Sequence, residues 1–91
     1  MLFRVGKLVA TPGALDAFTQ SGDNPAVILA RYVTGDWGEM CDEDKKTNDH
    51  AVSAEDPGRL MACYKLSDGT RVWLITEWDR SVTTFLLPEE Y

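Results

Sequence analysis

Residues 59–78 read RLMACYKL, SDGT and RVWLITEW in succession, and this stretch decides the fold. Two runs rich in apolar, β-branched and aromatic residues flank Asp68-Gly69, a dipeptide that suits a tight turn between paired strands. The pattern therefore predicts an antiparallel hairpin. RSVTTFLL, residues 80–87, follows at once and predicts a third antiparallel strand, so that the last third of the chain forms a meander.

The N-terminal part begins with a further strand pattern over residues 2–10, which alternates in side-chain direction. We expect this strand at an edge of the sheet or beside the last strand. Two helix signals come next. Thr11-Pro12 and Asn24-Pro25 each place a capping side chain before a proline at the first helical position, and Gly22 and Gly35 are the matching stops.

Apolar residues on these helices indicate which sides face the core. Leu15 and Phe18 are expected to point inward from the first helix, and Ile28, Leu29, Tyr32 and Val33 form the apolar stripe of the second. A third helix, from about Glu39 to Ala54, has few apolar residues and is expected at the surface. It ends before the Asp-Pro-Gly breaker at 56–58.

These elements predict one α+β domain over residues 1–91. Its sheet is expected to be antiparallel, a C-terminal three-stranded meander plus an N-terminal strand. Two to three short helices are expected to pack on one face.

The net charge of −6 is concentrated in the middle of the chain. Residues 36–56 hold eight acidic residues and two lysines, whereas acids and bases balance in the remainder. This charge disfavours direct binding to nucleic acid and favours a protein partner with a basic surface; a homodimer is the other association left open. No apolar run is long enough for a membrane span, and Arg4 and Lys7 interrupt the apolar N-terminus, so we expect a cytoplasmic protein.

The stretch GDWGEMCDEDKKTNDH, residues 35–50, is the predicted partner-binding surface. Two interpretations of Trp37 stay open: its ring anchors a partner, or it lies over the sheet with its N–H on a polar group. Asp36 correspondingly belongs to the surface or caps the next helical turn. The predicted partner-binding residues are Asp36, Trp37, Glu39, Asp42, Glu43 and Asp49.

The alternative function is that of a small hydrolase or a cation-dependent enzyme. In a strand over 71–79, Trp78 would share one face with Val72, Leu74 and Thr76, whereas Glu77 and Asp79 would share the other, roughly 6–7 Å apart. Paired carboxylates can perform acid–base chemistry. The catalytic residues would then be Asp36, His50, Glu77 and Asp79, converging in a cleft.

No cofactor or metal is expected. Cys41, His50 and Cys63 lack the spacing of a standard zinc site, and two reduced thiols are the simpler prediction. The chain has no phosphate-binding glycine loop of the dinucleotide or ATP-binding type.

Three stretches, GDWGEM, the Asp44-Lys45 to Asn48 spacing, and ITEWDRSVTTFLLPEEY, resemble a family of small proteins encoded on plasmids, integrative elements and prophages. Such proteins are often catalogued as plasmid-related or as a type I restriction subunit M. The chain is too short for a restriction methyltransferase, and it has neither a methyl-donor glycine loop nor an NPPY-type tetrad. The resemblance implies a mobile genetic element. It also implies a protein-binding or regulatory function, with inhibition of a host nuclease or CRISPR defence as one form of it.

Overall fold

The computed structural model describes residues 2–53 and 58–91. The elements follow in the order β1 (Lys7–Ala10), α1 (Pro12–Ser21), α2 (Pro25–Val33), α3 (Asp42–Ser53), β2 (Leu60–Lys65), β3 (Arg71–Thr76), β4 (Val82–Leu86) and a 3-10 turn (Pro88–Glu90). The predicted α+β class is confirmed. The proposed end of the third helix at Ala54 and the first two residues of the breaker at 56–58 lie outside the described residues.

The predicted hairpin is present. Strands β2 and β3 pair antiparallel, with Leu60 opposite Thr76 and Lys65 opposite Arg71. Gly69 has φ 91° in the connecting loop, and its N–H donates to the Leu66 carbonyl at 2.9 Å. The conformation is one that glycine adopts without steric cost, which explains why the turn forms here. β4 pairs antiparallel with β3 and completes the meander.

The sheet is mixed, and the expectation of a purely antiparallel sheet was wrong. Its strand order is β1-β4-β3-β2, and β1 runs parallel to β4. The three helices that follow β1 return the chain so that β2 runs in the same direction as β1, and the antiparallel meander then brings β4 beside β1 in that same direction. The first strand was expected at an edge of the sheet or beside the last strand, and β1 meets both conditions.

β1 is shorter than predicted because the chain bends at Gly6. Gly6 has φ 63°, and a Cβ atom there would lie 2.3 Å from the Ser81 carbonyl oxygen. This close approach excludes a side chain and ends the regular pairing, so that β1 begins at Lys7 and not at Leu2.

The two predicted helix starts are confirmed. The Thr11 hydroxyl accepts from the Ala14 N–H at 3.2 Å, and the Asn24 side chain accepts from the Ala26 N–H at 2.9 Å. Gly22, in the left-handed conformation with φ 77°, ends α1. The first helix is therefore bounded by the residues that the sequence marks, whereas α2 ends at Val33 with Thr34 as its C-cap, one residue before the predicted stop at Gly35.

The expectation for Leu15 was wrong. Ala14, Ala17 and Phe18 form the buried stripe of α1, whereas Leu15 is 54% exposed. Phe18 is buried as predicted, and the buried residue one turn before it is Ala14 in place of Leu15. Leu15 lies on the β1 side of α1, and β1 is an edge strand, so none of the strands in residues 2–53 and 58–91 covers it.

Trp78 also differs from the prediction that it shares a face with Leu74 and Thr76. β3 ends at Thr76, the Glu77 N–H donates to the Val82 carbonyl, and a turn follows in which Arg80 has φ 60°. The strand alternation stops before Trp78, whose side chain is 65% exposed.

The core lies between the helices and one face of the sheet, and one chain of hydroxyls crosses it. The Thr83 hydroxyl donates to the Val5 carbonyl at 2.8 Å, Thr76 lies 2.7 Å from Thr83, and the Tyr32 hydroxyl lies 2.7 Å from Thr76. Because each hydroxyl has one proton, Thr76 must donate to Thr83, and Tyr32 must donate to Thr76. The Val5 carbonyl can only accept a hydrogen bond, and it therefore fixes the direction of every hydrogen bond in this buried network.

None of the described helices is long and apolar enough to cross a membrane.

Candidate functional site

The stretch 35–50 closes the outer edge of strand β2. The Cys63 carbonyl accepts from the Glu39 N–H at 2.7 Å, and the Cys63 N–H donates to the Trp37 carbonyl at 3.4 Å. Gly38 lies between them with φ 72°, and a Cβ atom there would be 2.1 Å from the Cys63 carbonyl oxygen. Glycine is therefore required for the loop to approach the strand.

Asn48 continues this closure from α3. Its side chain is buried, its amide nitrogen donates to the Met61 carbonyl at 2.7 Å, and its carbonyl oxygen accepts from the Met61 N–H at 3.3 Å. One side-chain amide thus replaces the backbone of a neighbouring strand. The backbone N–H and C=O groups of Met61 and Cys63 point away from β3. Because Asn48 and the Trp37–Glu39 loop pair with these groups, the outer edge of β2 is closed from Met61 to Cys63. The start of α3 at Asp42, and not at Glu39, follows from the loop's pairing with β2.

Trp37 is part of the core, and its predicted role as an exposed partner anchor was wrong. The side chain is 3% exposed and packs edge-on against Tyr32, with ring centroids 5.6 Å apart. It also stacks on Phe3 at 6.0 Å. The indole N–H donates to the Asp49 carboxylate at 2.8 Å, so the alternative interpretation, with the N–H on a polar group, describes the structure.

The carboxylates predicted to bind a partner all lie at the surface, but most have an internal partner. Asp36 pairs with Arg31 at 2.7 Å, and this guanidinium lowers the pKa of the Asp36 carboxyl. Glu39 pairs with Arg71 at 3.2 Å, and Asp49 holds the Trp37 indole. These three acids therefore stabilise the loop and helix that cover β2.

Asp42, Glu43 and Asp44 form the exposed first turn of α3. No ion pair to them is present in the part of the chain that the structure describes. Their charge stabilises the helix by opposing the positive end of its dipole. They are also the carboxylates of this segment that remain free to face another molecule.

The four residues of the alternative catalytic site do not converge. The Asp36 carbonyl is bonded to the Tyr64 hydroxyl near one end of β2, whereas Glu77 pairs with Arg59 next to the other end. Tyr64 and Arg59 are five positions apart along an extended stretch, which places their Cα atoms about 17 Å apart. The Asp79 carboxylate accepts from the Ser81 N–H at 3.0 Å within its own turn, and hydrogen bonds from the Ser81 hydroxyl and from this N–H lower the pKa of Asp79.

His50 is exposed in the last turn of α3. Cys41 is exposed and Cys63 is buried, both as free thiols. Burial raises the pKa of the Cys63 thiol, which disfavours its reactive thiolate form. Within residues 2–53 and 58–91, no group of three or more histidine, cysteine, aspartate or glutamate side chains is placed to hold a metal ion.

The described structure contains an apolar groove that sequence reasoning missed. It lies between β1 and α1, has a volume of about 340 Å³, and is formed by apolar residues alone. The lining residues are Leu8, Val9, Ala10, Leu15, Phe18, Pro25 and Phe85. No sequence signal marked the groove, because Leu15 was predicted to face the core and is exposed only because β1 lies at the edge of the sheet.

Comparison with protein-family models, with curated proteins and with solved structures finds no match to this chain.

Proposed function

We propose that this is a small acidic protein that binds and regulates another protein, through a surface to which the first turn of α3 contributes. The observation that carries the proposal is the exposure of Asp42, Glu43 and Asp44 on consecutive positions, in a segment that holds the whole net charge of the chain. A basic protein surface is the complementary partner, because opposite potentials steer association. An enzymatic function is not favoured, since the candidate catalytic residues lie apart.

We extend the proposal to the biological setting on the basis of the sequence resemblance. The protein would act in the cytoplasm in the service of a mobile genetic element, with a host defence protein as the partner. The acidic turn of α3 suits a nuclease or CRISPR component, because such proteins present basic surfaces to nucleic acid.

The test compares two charge-reversed variants of equal net charge in a pull-down from host lysate. Asp42→Lys with Glu43→Lys alters the proposed surface, and Asp16→Lys with Glu89→Lys places the same change at exposed positions elsewhere. Asp49 is left intact because it holds Trp37. We expect a basic partner that is retained by the wild type and by the control, and lost with the α3 variant.

The same capture should weaken with salt, because the screening length falls from about 10 Å at 0.1 M to about 3 Å at 1 M. A partner bound equally by both variants, or no protein that distinguishes them, would contradict the proposed surface.

A further inference from the structure

The outer face of the sheet, which turns away from the helices, carries buried apolar side chains. Leu74 belongs to the core beneath the helices, and its neighbours Trp73 and Ile75 therefore lie on the outer face, because side chains alternate along a strand. Leu86 pairs with Trp73 and shares that face. Ile75 and Leu86 are only 5% and 7% exposed, so a part of the chain other than the helices covers them.

The cover is the segment 88–91, which we call the strap. Its 3-10 turn lies against β3. The ring of Tyr91 packs edge-on against Trp73, with centroids 5.3 Å apart, and its hydroxyl accepts from the Arg59 guanidinium at 3.2 Å. Arg59 directly precedes β2 at the open end of the hairpin, and Ile75 is one step from Trp73 towards that end. A tyrosine that reaches both residues lies over Ile75.

A second contact ties the strap to the start of α1. The Glu90 carboxylate accepts from the Thr11 hydroxyl at 2.5 Å and from the Leu87 N–H at 2.8 Å. A Cβ atom on Gly13, in the first turn of α1, would lie 2.8 Å from either carboxylate oxygen, so the glycine makes room for Glu90. The hydrogen bond from the Thr11 hydroxyl is the main cause that lowers the pKa of Glu90. The strap is thus held at two separate points.

Both points of attachment are open to solvent. None of the residues Pro88–Glu90 is buried, Tyr91 is 65% exposed, and the bonds of Glu90 and Tyr91 lie at exposed positions. Leu87, in contrast, packs against the core and fixes the near end of the strap. Segments with few buried contacts and exposed hydrogen bonds open at a lower free energy than the strands beneath them.

We propose that the strap opens as one unit while the sheet stays folded, and that its opening uncovers the outer face around Trp73 and Ile75. The strap is then a cover built into the fold, which sets how much of this apolar face meets the solvent. The device is separate from the acidic turn of α3 and does not depend on its function.

Two rates report the opening in the whole protein. One is amide hydrogen exchange at Tyr91, whose N–H donates to the Pro88 carbonyl. The other is labelling of the Cys63 thiol, which lies opposite Trp73 in the sheet and is 9% exposed. Labelling is measured in a Cys41→Ser background, because Cys41 is an exposed thiol. If one opening permits both reactions, both rates change by the same factor.

Glu90→Gln tests whether the two attachments act together. The change removes the charge that strengthens the bond from Thr11, and charge-assisted hydrogen bonds are about twice as strong as neutral ones. We expect Tyr91 exchange and Cys63 labelling both to become about fivefold faster. Glu89→Gln makes the same change of charge at an exposed neighbour and should leave both rates unchanged.

The reverse experiment starts from the other attachment, because coupling between two sites is reciprocal. Tyr91→Ala removes the ring from Trp73 and should speed amide exchange at Leu87, whose N–H is bonded to Glu90, by about fivefold. Trp78→Ala is the matched control, since Trp78 is also 65% exposed and lies outside the strap. It should leave the exchange of Leu87 unchanged.

Low concentrations of urea separate opening of the strap from unfolding of the whole protein. Opening exposes little surface, so the two rates should depend on urea much less than amide exchange at Leu74 in the central strand. Equal urea dependence would overturn the inference, because only global unfolding would then expose these groups. Faster Tyr91 exchange without faster Cys63 labelling would show that the strap does not cover the outer face. Unchanged rates in Glu90→Gln would show that the attachments are not coupled.

Discussion

Trp37 holds α3 against the rest of the protein through two different kinds of contact. Its ring packs against Tyr32 and Phe3, and its N–H reaches Asp49 on the helix. The sequence left two roles open for this residue, because a tryptophan between two glycines suits an exposed loop as well as a buried contact. The loop at Trp37–Glu39 pairs with the edge of β2, and this pairing places the Trp37 ring in the core. No local sequence pattern encodes this long-range contact.

Replacing Trp37 with alanine should lower the free energy of unfolding by about 3–5 kcal/mol, because it removes a large buried side chain. Trp37→Phe keeps most of the packing and loses the bond to Asp49, and should cost less. Urea denaturation measures both. Trp78→Ala is the control: its side chain is 65% exposed, so the change should stay within about 0.5 kcal/mol. An unchanged midpoint for Trp37→Ala would contradict its buried position.

The buried hydroxyl of Tyr32 should make the free energy of unfolding fall at alkaline pH. Burial raises the pKa of its hydroxyl from 10.0 to about 12. The folded state therefore holds the Tyr32 proton more tightly than the unfolded state. The contribution of Tyr32 to the free energy of unfolding is complete below pH 10 and is lost as the pH rises from 10 towards 12. Burial also raises the pKa of Tyr64, which acts in the same direction.

Tyr32→Phe should cost about 1 kcal/mol at pH 7, because Thr76 loses its donor, and should reduce the loss of stability above pH 10. Denaturation at pH 7 and pH 11 measures both effects, with Tyr91→Phe as the control at an exposed tyrosine. If the alkaline loss were the same in Tyr32→Phe and wild type, Tyr32 would not be its source.

Helix α3 closes an edge of the sheet although most of its residues are polar. Its acidic first turn opposes the helix dipole, and Asn48 on its inner side replaces a strand for Met61. The sequence predicted a surface helix with few apolar residues, and this is what forms. It could not reveal Asn48 as the inward-facing residue, since one asparagine among polar neighbours has no periodic signal.

Asn48→Ala should destabilise the protein by about 1–3 kcal/mol, because it leaves the Met61 N–H and C=O without partners at a covered edge. The opened edge should also promote association between chains. Thermal unfolding and light scattering test the two effects. The control is Thr47→Ala, an exposed neighbour on the same helix. Equal stability of the two variants would show that Asn48 does not seal the edge.

The sheet as a whole could be predicted in its second half and less well in its first. The fold of residues 60–86 is predicted by short-range sequence patterns, namely the alternation within each strand and the Asp68-Gly69 turn. The parallel pairing of β1 with β4 depends on three helices and two strands that lie between them in the chain, and no short stretch encodes that. The apolar groove was missed for the same reason, because Leu15 is exposed only as a consequence of β1 lying at the edge.

One measurement addresses the contrast between the two sheet edges directly: native-state amide hydrogen exchange of the free protein, residue by residue. Met61 and Cys63 should exchange slowly, because Asn48 and the Trp37 carbonyl accept their N–H groups. Leu8 and Ala10, also in an edge strand, should exchange rapidly because they point outward without partners. Rapid exchange at Met61 and Cys63, or equal protection of both edges, would show that the β2 edge is not closed in the way that distinguishes it from the β1 edge.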